Sequence, residues 1–186
     1  KKVAAWGAYA LTRVQKEKRR PKNVPIYKTI ENVLNELRPA FEASTISLIL
    51  KGENFYSKTY QMDIETILVN LLTNAYTAAL LTTDKKKIVD RKVHVTVDRE
   101  DAKGVSGYYF SVSDSGPGVA KEFEHRIFDP LFSTKTVGSN DSKSIGTGLG
   151  LTIVKSIVEE LEGKLTFSKD PVLKGANFKI WLPKNN

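Results

Sequence analysis

Apolar residues recur along the chain with two different periods, and the changes of period mark out its elements. From residue 27 to about 43, Ile30, Val33, Leu34, Leu37 and Phe41 fall three and four apart, the spacing of one buried helix face. Ile46, Ser47, Leu48, Ile49 and Leu50 then read as a strand, closed by a turn through Lys51, Gly52, Glu53 and Asn54. A strongly periodic helix follows over residues 63–80, with Ile64, Ile67, Leu68, Leu71, Leu72, Ala75 and Ala79 on its apolar face. Thr66, Asn70, Thr73 and Thr77 form the opposite stripe, and Asn74 lies one turn from Asn70. Residues 82–91 are polar and basic and read as a loop. Residues 93–97 and 108–112 are two strands joined through a charged turn. After a long polar interval the helical period returns at Leu151, Val154, Ile157, Val158 and Leu161. Residues 164–167 and 178–182 read as two final strands. This order predicts an α/β fold, a two-layer sandwich of helices packed on one face of a mixed β-sheet.

The length suits one domain with a sizeable core and a short appendage. Cysteine is absent, which excludes a disulfide framework and thiolate metal sites. His94 and His125 are too far apart in sequence to suggest a metal pair. No apolar run reaches the roughly 18 residues of a membrane span, and no stretch reads as a signal peptide. The chain begins at Lys1 rather than methionine and reads as a fragment of something longer.

Charge alters the picture at one end only. Of a net charge of +8, residues 1–23 supply most, with eight basic residues against Glu17 alone. That segment could meet nucleic acid or an anionic membrane. With Val3, Trp6, Ala10, Leu11 and Val14 as an apolar stripe, it is read instead as a solvated helical linker over residues 1–24. Pro21 and Pro25 break it before the main domain, residues 25–186.

Three stretches carry candidate chemistry. In the first, Tyr108, Phe110 and Val112 share one strand face and Asp114 shares their parity, ahead of Ser115, Gly116, Pro117 and Gly118. A carboxylate on the apolar side needs a partner, and a purine amino group is a suitable donor. The alternative is a tight turn with a solvated Asp. In the second, Asn70 and Asn74 aim two amides at one place, as Mg²⁺ already holding phosphates would accept, or they are ordinary surface residues. In the third, Gly146, Thr147, Gly148, Leu149 and Gly150 open onto a helix, either as a phosphate cradle at its N-terminus or as a flexible turn. Before it, residues 136–144 lack a core face and read as a mobile lid, with Lys135 and Lys143 within reach of phosphate oxygens or simply solvated.

Together these stretches resemble the sensor histidine kinases. Asn70-Leu71-Leu72-Thr73-Asn74-Ala75 is similar to their N box, and Asp114-Ser115-Gly116-Pro117-Gly118 to their G1 box. Phe128-Asp129-Pro130-Leu131-Phe132-Ser133-Thr134-Lys135 is similar to the F box, and Gly146-Thr147-Gly148-Leu149-Gly150-Leu151 to the G2 box. The resemblance covers residues 27–184 and implies the Bergerat ATP-binding fold shared with DNA gyrase, mismatch-repair ATPases and heat-shock chaperone ATPases. It implies that Asp114 binds the adenine amino group, Gly116 and Gly118 line the base, and Asn74 holds Mg²⁺. Gly146, Thr147, Gly148, Leu149 and Gly150, with Phe128, would complete the ATP or ADP site, and Asn70 and Lys135 would serve catalysis.

Hydrolysing relatives carry glutamate where this chain has Asn70, and an amide cannot take a proton from water. The family comparison therefore favours a protein-histidine kinase over an ATPase or a nucleotide-gated binding module. The usual phosphoacceptor histidine is not found in this sequence, so the resemblance implies an upstream dimerisation and phosphoacceptor domain of the same protein, forming a homodimer, and residues 1–24 could be the tail of its dimerisation helix. It also implies a response regulator receiver domain as partner, no nucleic acid, and a cytoplasmic site in a parent that a membrane segment could anchor. Departures are Thr77 and Ala78, where many members have lysine and tyrosine, and Ala176, where threonine is frequent.

Overall fold

The computed structural model of the chain describes residues 20–82, 90–132 and 148–185. In order they form β1 (Lys22–Pro25), α1 (Ile26–Ala43), β2 (Ile46–Gly52), β3 (Tyr56–Thr59), α2 (Gln61–Leu81), β4 (Arg91–Arg99) and β5 (Gly107–Asp114). A 3₁₀ turn (Lys121–Phe123), α3 (Gly150–Glu160), β6 (Lys164–Lys169) and β7 (Ala176–Pro183) follow. The main sheet has strand order β2-β4-β5-β7-β6. Only the β2–β4 pair is parallel, and the other three are antiparallel. The sheet is mixed, as expected.

Register explains the layering. Val95 lies opposite Val112, and Val112 opposite Phe178, so the buried positions of three strands form continuous rows. Val93, Val97, Phe110, Ile180 and Leu182 extend those rows, all buried. The intervening His94, Ser113 and Asn177 share the opposite parity, which puts them on the other sheet face. Helix α1 packs on β2 and α2, α2 on β4 and β5, and α3 on α2 and β6. Ile64, Ile67, Leu68, Leu71 and Leu72 of α2 are fully excluded from water, each contributing about 1.5–3 kcal/mol by burial. By length and composition α2 alone among the described helices could cross a membrane. Here its apolar face is the core, and its other face carries the threonines and asparagines.

Two elements depart from the expectation. Residues 22–25 are a strand, antiparallel to β3, so an extended segment crosses the boundary drawn after residue 24. Both strands have four residues, too few for alternation to register in sequence. Pro25 fits because β1 pairs on one side only and the next backbone donor, Ile26 N–H, bonds to the Phe55 carbonyl at 2.9 Å. Residues 1–19, read as a linker helix, and 136–144, read as a lid, lie outside the described residues.

Candidate nucleotide-binding site

Asp114 ends β5 on its buried face, 3 % exposed. Its Oδ1 accepts the Gly116 N–H at 2.8 Å and the Ala176 N–H at 3.3 Å. Among the described residues no donor meets Oδ2. Burial pushes the carboxyl up to about 6, the nearby Asp170 adds to the rise, and the two backbone N–H groups oppose it. A buried carboxylate with one oxygen committed and the other open is a receptor for a ligand donor such as an exocyclic amino group.

Glycines bring backbone against this carboxylate. A Cβ on Gly175 would fall 2.2 Å from the Asp114 carbonyl oxygen and 2.3 Å from Oδ1. One on Gly116 would fall 2.7 Å from the Ala78 Cβ on α2. Gly118 has room for a Cβ but a φ of +77°, so here conformation rather than space calls for glycine. Gly175 and the Ala176 N–H are parts of the site outside the four matched motifs, with Ala176 noted in the sequence only as a departure from the family's frequent threonine. The one local signal, a glycine just before an apolar strand, does not say which residue it faces.

Helix α2 runs from this anchor to the other half of the site. Asn70 donates its Nδ2 to the Thr66 carbonyl at 2.8 Å. Its Oδ1 would lie 3.0 Å from a Cβ on Gly150, the first residue of α3. Ala78 against Gly116 and Asn70 against Gly150 are eight residues apart, or about 12 Å along the helix axis, a span suited to an extended nucleotide. Asn74 lies midway, half-buried, with no side-chain hydrogen bond among the described residues. Its amide is available to a ligand or ion. The described residues hold no cluster of three His, Asp or Glu side chains for a metal, so an ion here would rely on amide oxygen, phosphate and water.

The N-terminus of α3 has no side-chain cap, as suits an anion site. Gly148 reaches it at φ +66°, and a Cβ there would strike the Leu131 backbone at 2.5 Å. The F-box segment therefore rests on the cradle at Leu131. Phe128 meets Phe178 edge-on at 6.4 Å, and Phe123 and Phe132 pair at 5.6 Å with Arg126 over the Phe132 ring. These rings anchor the segment to the core. Gly116 and Gly150 thus lie against α2, which carries Asn70 and Asn74. Asp114 and Gly118 lie beside Gly175, Phe128 packs on Phe178, and Gly148 and Leu149 lead into α3. Lys135, Gly146 and Thr147 lie outside the described residues. His125 is exposed beside this region, and His94 lies on the sheet face turned away from α1, α2 and α3.

A cavity of about 460 Å³ lined by Asn23, Tyr56, Lys58, Lys184 and Asn185 lies elsewhere. It borders the Pro183 end of β7, whereas Asp114 lies by the Ala176 end.

The chain is similar to known proteins over most of its length. A family model described as "Histidine kinase-, DNA gyrase B-, and HSP90-like ATPase" matches residues 59–186. The sensor histidine kinase ZraS of Salmonella typhi is 35% identical over 117 residues, 63% of this chain and 21% of its own length. The sensor histidine kinase CpxA of Escherichia coli is 36% identical over 93 residues, 50% of this chain and 20% of its own. The chain thus spans about a fifth of the length of these relatives. In fold it matches the catalytic domain of histidine kinase ThkA at TM-score 0.71 and 24% identity, covering 90% of this chain and 100% of that one. A mycobacterial sensor histidine kinase, MprB, gives 0.68 at 22% identity, covering 89% and 98%.

Proposed function

The chain belongs to the histidine kinase-, DNA gyrase B- and HSP90-like ATPase family, as an ATP-binding domain of the sensor histidine kinase type, and we propose how its residues serve that activity. The observation that carries the reading is the open Oδ2 of a buried Asp114 whose Oδ1 is already held by two backbone N–H groups. Asp114 accepts the adenine amino group there. A purine with a keto oxygen at that position would set lone pairs against a carboxylate.

Asn74 supplies an amide oxygen to Mg²⁺, which when bound neutralises phosphate charge. The backbone around Gly148 and Gly150 and the start of α3 hold the phosphates. Lys135, Gly146 and Thr147 complete that site in the family pattern. Asn70 orients rather than abstracts: its amide has no basic group, its Nδ2 is committed to Thr66, and its Oδ1 faces α3. Water at that position is not activated, which preserves ATP for transfer. In the parent protein the γ-phosphoryl leaves ADP and forms a P–N bond to an imidazole nitrogen of an upstream histidine, whose proton is released.

The partners under this reading are a dimerisation and phosphoacceptor domain of the same protein, within a homodimer, and a response regulator receiver domain. A solved complex of histidine kinase ThkA with response regulator protein TrrA supports that last partner by analogy, at TM-score 0.71 and 20% identity. Phosphotransfer would take place in the cytoplasm. The test is γ-labelled ATP with the parent protein containing its upstream helix, following protein-bound and free phosphate together. Acid-labile label on protein is expected. Free phosphate without protein label would make this an ATPase, and bound ATP with neither product would make it a nucleotide-sensing module.

A further inference from the structure

The C-terminal end of α2 is tied to the Asp114 loop by a side chain that the motif comparison passes over. Thr82 Oγ1, on the residue capping α2, donates to the Ser115 carbonyl at 2.8 Å. The Ser115 N–H and the acceptor side of its hydroxyl are also engaged. Its N–H donates to the Lys92 carbonyl at 3.0 Å, and its Oγ accepts the Lys92 N–H at 2.9 Å. The side chain thus extends the β4–β5 ladder one residue past the end of β5.

Geometry makes the Thr82 contact consequential. The Ser115 C=O and the Gly116 N–H belong to one planar trans peptide unit and point in opposite directions. Holding the carbonyl toward Thr82 therefore aims the N–H the other way, where it meets Asp114 Oδ1 at 2.8 Å. Among the described residues, no other side-chain hydrogen bond joins the end of α2 to this loop. Gly116 also rests on Ala78, so the peptide is fixed at the carbonyl by a hydrogen bond and at Cα by packing.

We propose that Thr82 is a positioning residue: through the Ser115–Gly116 peptide it orients the Asp114 carboxylate, and thereby sets selectivity for a purine bearing an amino group. The proposal rests on the adenine role of Asp114. With Thr82 in place, Oδ1 is engaged by backbone and Oδ2 faces the ligand. Without it the peptide can rotate, the Gly116 N–H leaves Oδ1, and the carboxylate is held by the longer Ala176 N–H bond alone.

The test is calorimetric titration of the whole 186-residue chain with ADP and with inosine diphosphate, which differs by a keto oxygen in place of the amino group. Thr82→Val keeps the shape and removes the donor. It should weaken ADP binding about 3–10-fold, as expected for one lost orienting hydrogen bond, and leave inosine diphosphate nearly unchanged. Thr82→Ser should restore the preference. Amide exchange at Gly116 should quicken in Thr82→Val and not in Thr82→Ser. Equal weakening of both nucleotides, or no change in either ADP affinity or Gly116 exchange, would reduce Thr82 to a helix-end contact and overturn the proposal. Asp114→Asn separates the two readings. If it leaves the ADP preference intact, the adenine role itself fails, whereas loss of preference there with none in Thr82→Val sinks only the positioning role.

Discussion

Gly175 and Asp114 meet with no space for a side chain between them: a Cβ on the glycine would lie 2.3 Å from the carboxylate Oδ1. The residues are far apart in sequence: Asp114 ends β5, Gly175 immediately precedes the neighbouring strand β7, and the next residue along, Ala176, donates its N–H to the same oxygen at 3.3 Å. The carboxylate is therefore held by backbone from both its own loop and the approach to β7.

That contact makes Gly175→Ala a sharp probe. The methyl group must displace either the Asp114 backbone or its carboxylate, so nucleotide affinity should fall at least about tenfold. Stability should fall by about 1–3 kcal/mol, typical of overpacking a tight site. Calorimetric titration with ADP, paired with thermal unfolding, measures both. Unaltered ADP affinity would mean that the hairpin before β7 yields and that the contact does not position the carboxylate.

Stability and binding should respond oppositely at Asp114. In the folded chain its carboxyl titrates at about 6, above the ordinary 3.8. Between those values the folded state keeps a proton that the unfolded state releases, so this group's contribution to stability declines as pH rises through the window and is flat above it. Asp114→Asn keeps an oxygen for the two backbone N–H groups and removes the buried charge. It should be more stable than the parent above about pH 6, by on the order of 1–3 kcal/mol, with the difference vanishing below about pH 4. The same variant should lose ADP binding, because its Nδ2 faces the adenine amino group donor to donor. Thermal unfolding across that range and one titration suffice, and an unchanged ADP affinity would refute the adenine assignment.

The parent should also bind nucleotide less well in mild acid. With Oδ1 occupied by two N–H groups, a proton added to Asp114 goes to Oδ2, which then donates where it must accept. Affinity for ADP should fall by up to about tenfold per pH unit below about pH 6 and level off above it. A flat profile between about pH 5 and pH 8 would contradict this.

Asn74→Ala should remove the gain in ATP affinity that Mg²⁺ confers, while ATP binding in the presence of a chelator is retained. Phosphoryl transfer by the parent protein would then lose its Mg²⁺ dependence. Retention of the Mg²⁺ increment in titration would move the ion to other ligands.

Much of this was legible in the chain itself. The 3.6-residue period of Ile64, Ile67, Leu68, Leu71 and Leu72 is imposed by one buried face, and the alternation through Tyr108, Phe110 and Val112 carries Asp114 to the buried side, because both periods follow from backbone geometry alone. The loop glycines after Asp114 were visible for the same reason, since a φ such as the +77° of Gly118 suits few other residues. The four-residue strands β1 and β3 were not visible, since they stabilise only as a pair and neither carries a pattern by itself. Nor were the partners of Asp114. That Gly175 and Ala176 close on it, that Ala78 receives Gly116, and that Thr82 takes hold of Ser115 depend on which strands and helices become neighbours. Local sequence determined the elements and the direction of their side chains. Only the packing of α2 against the sheet, driven by burial of a face shared by many residues, decided which backbone groups meet at the carboxylate.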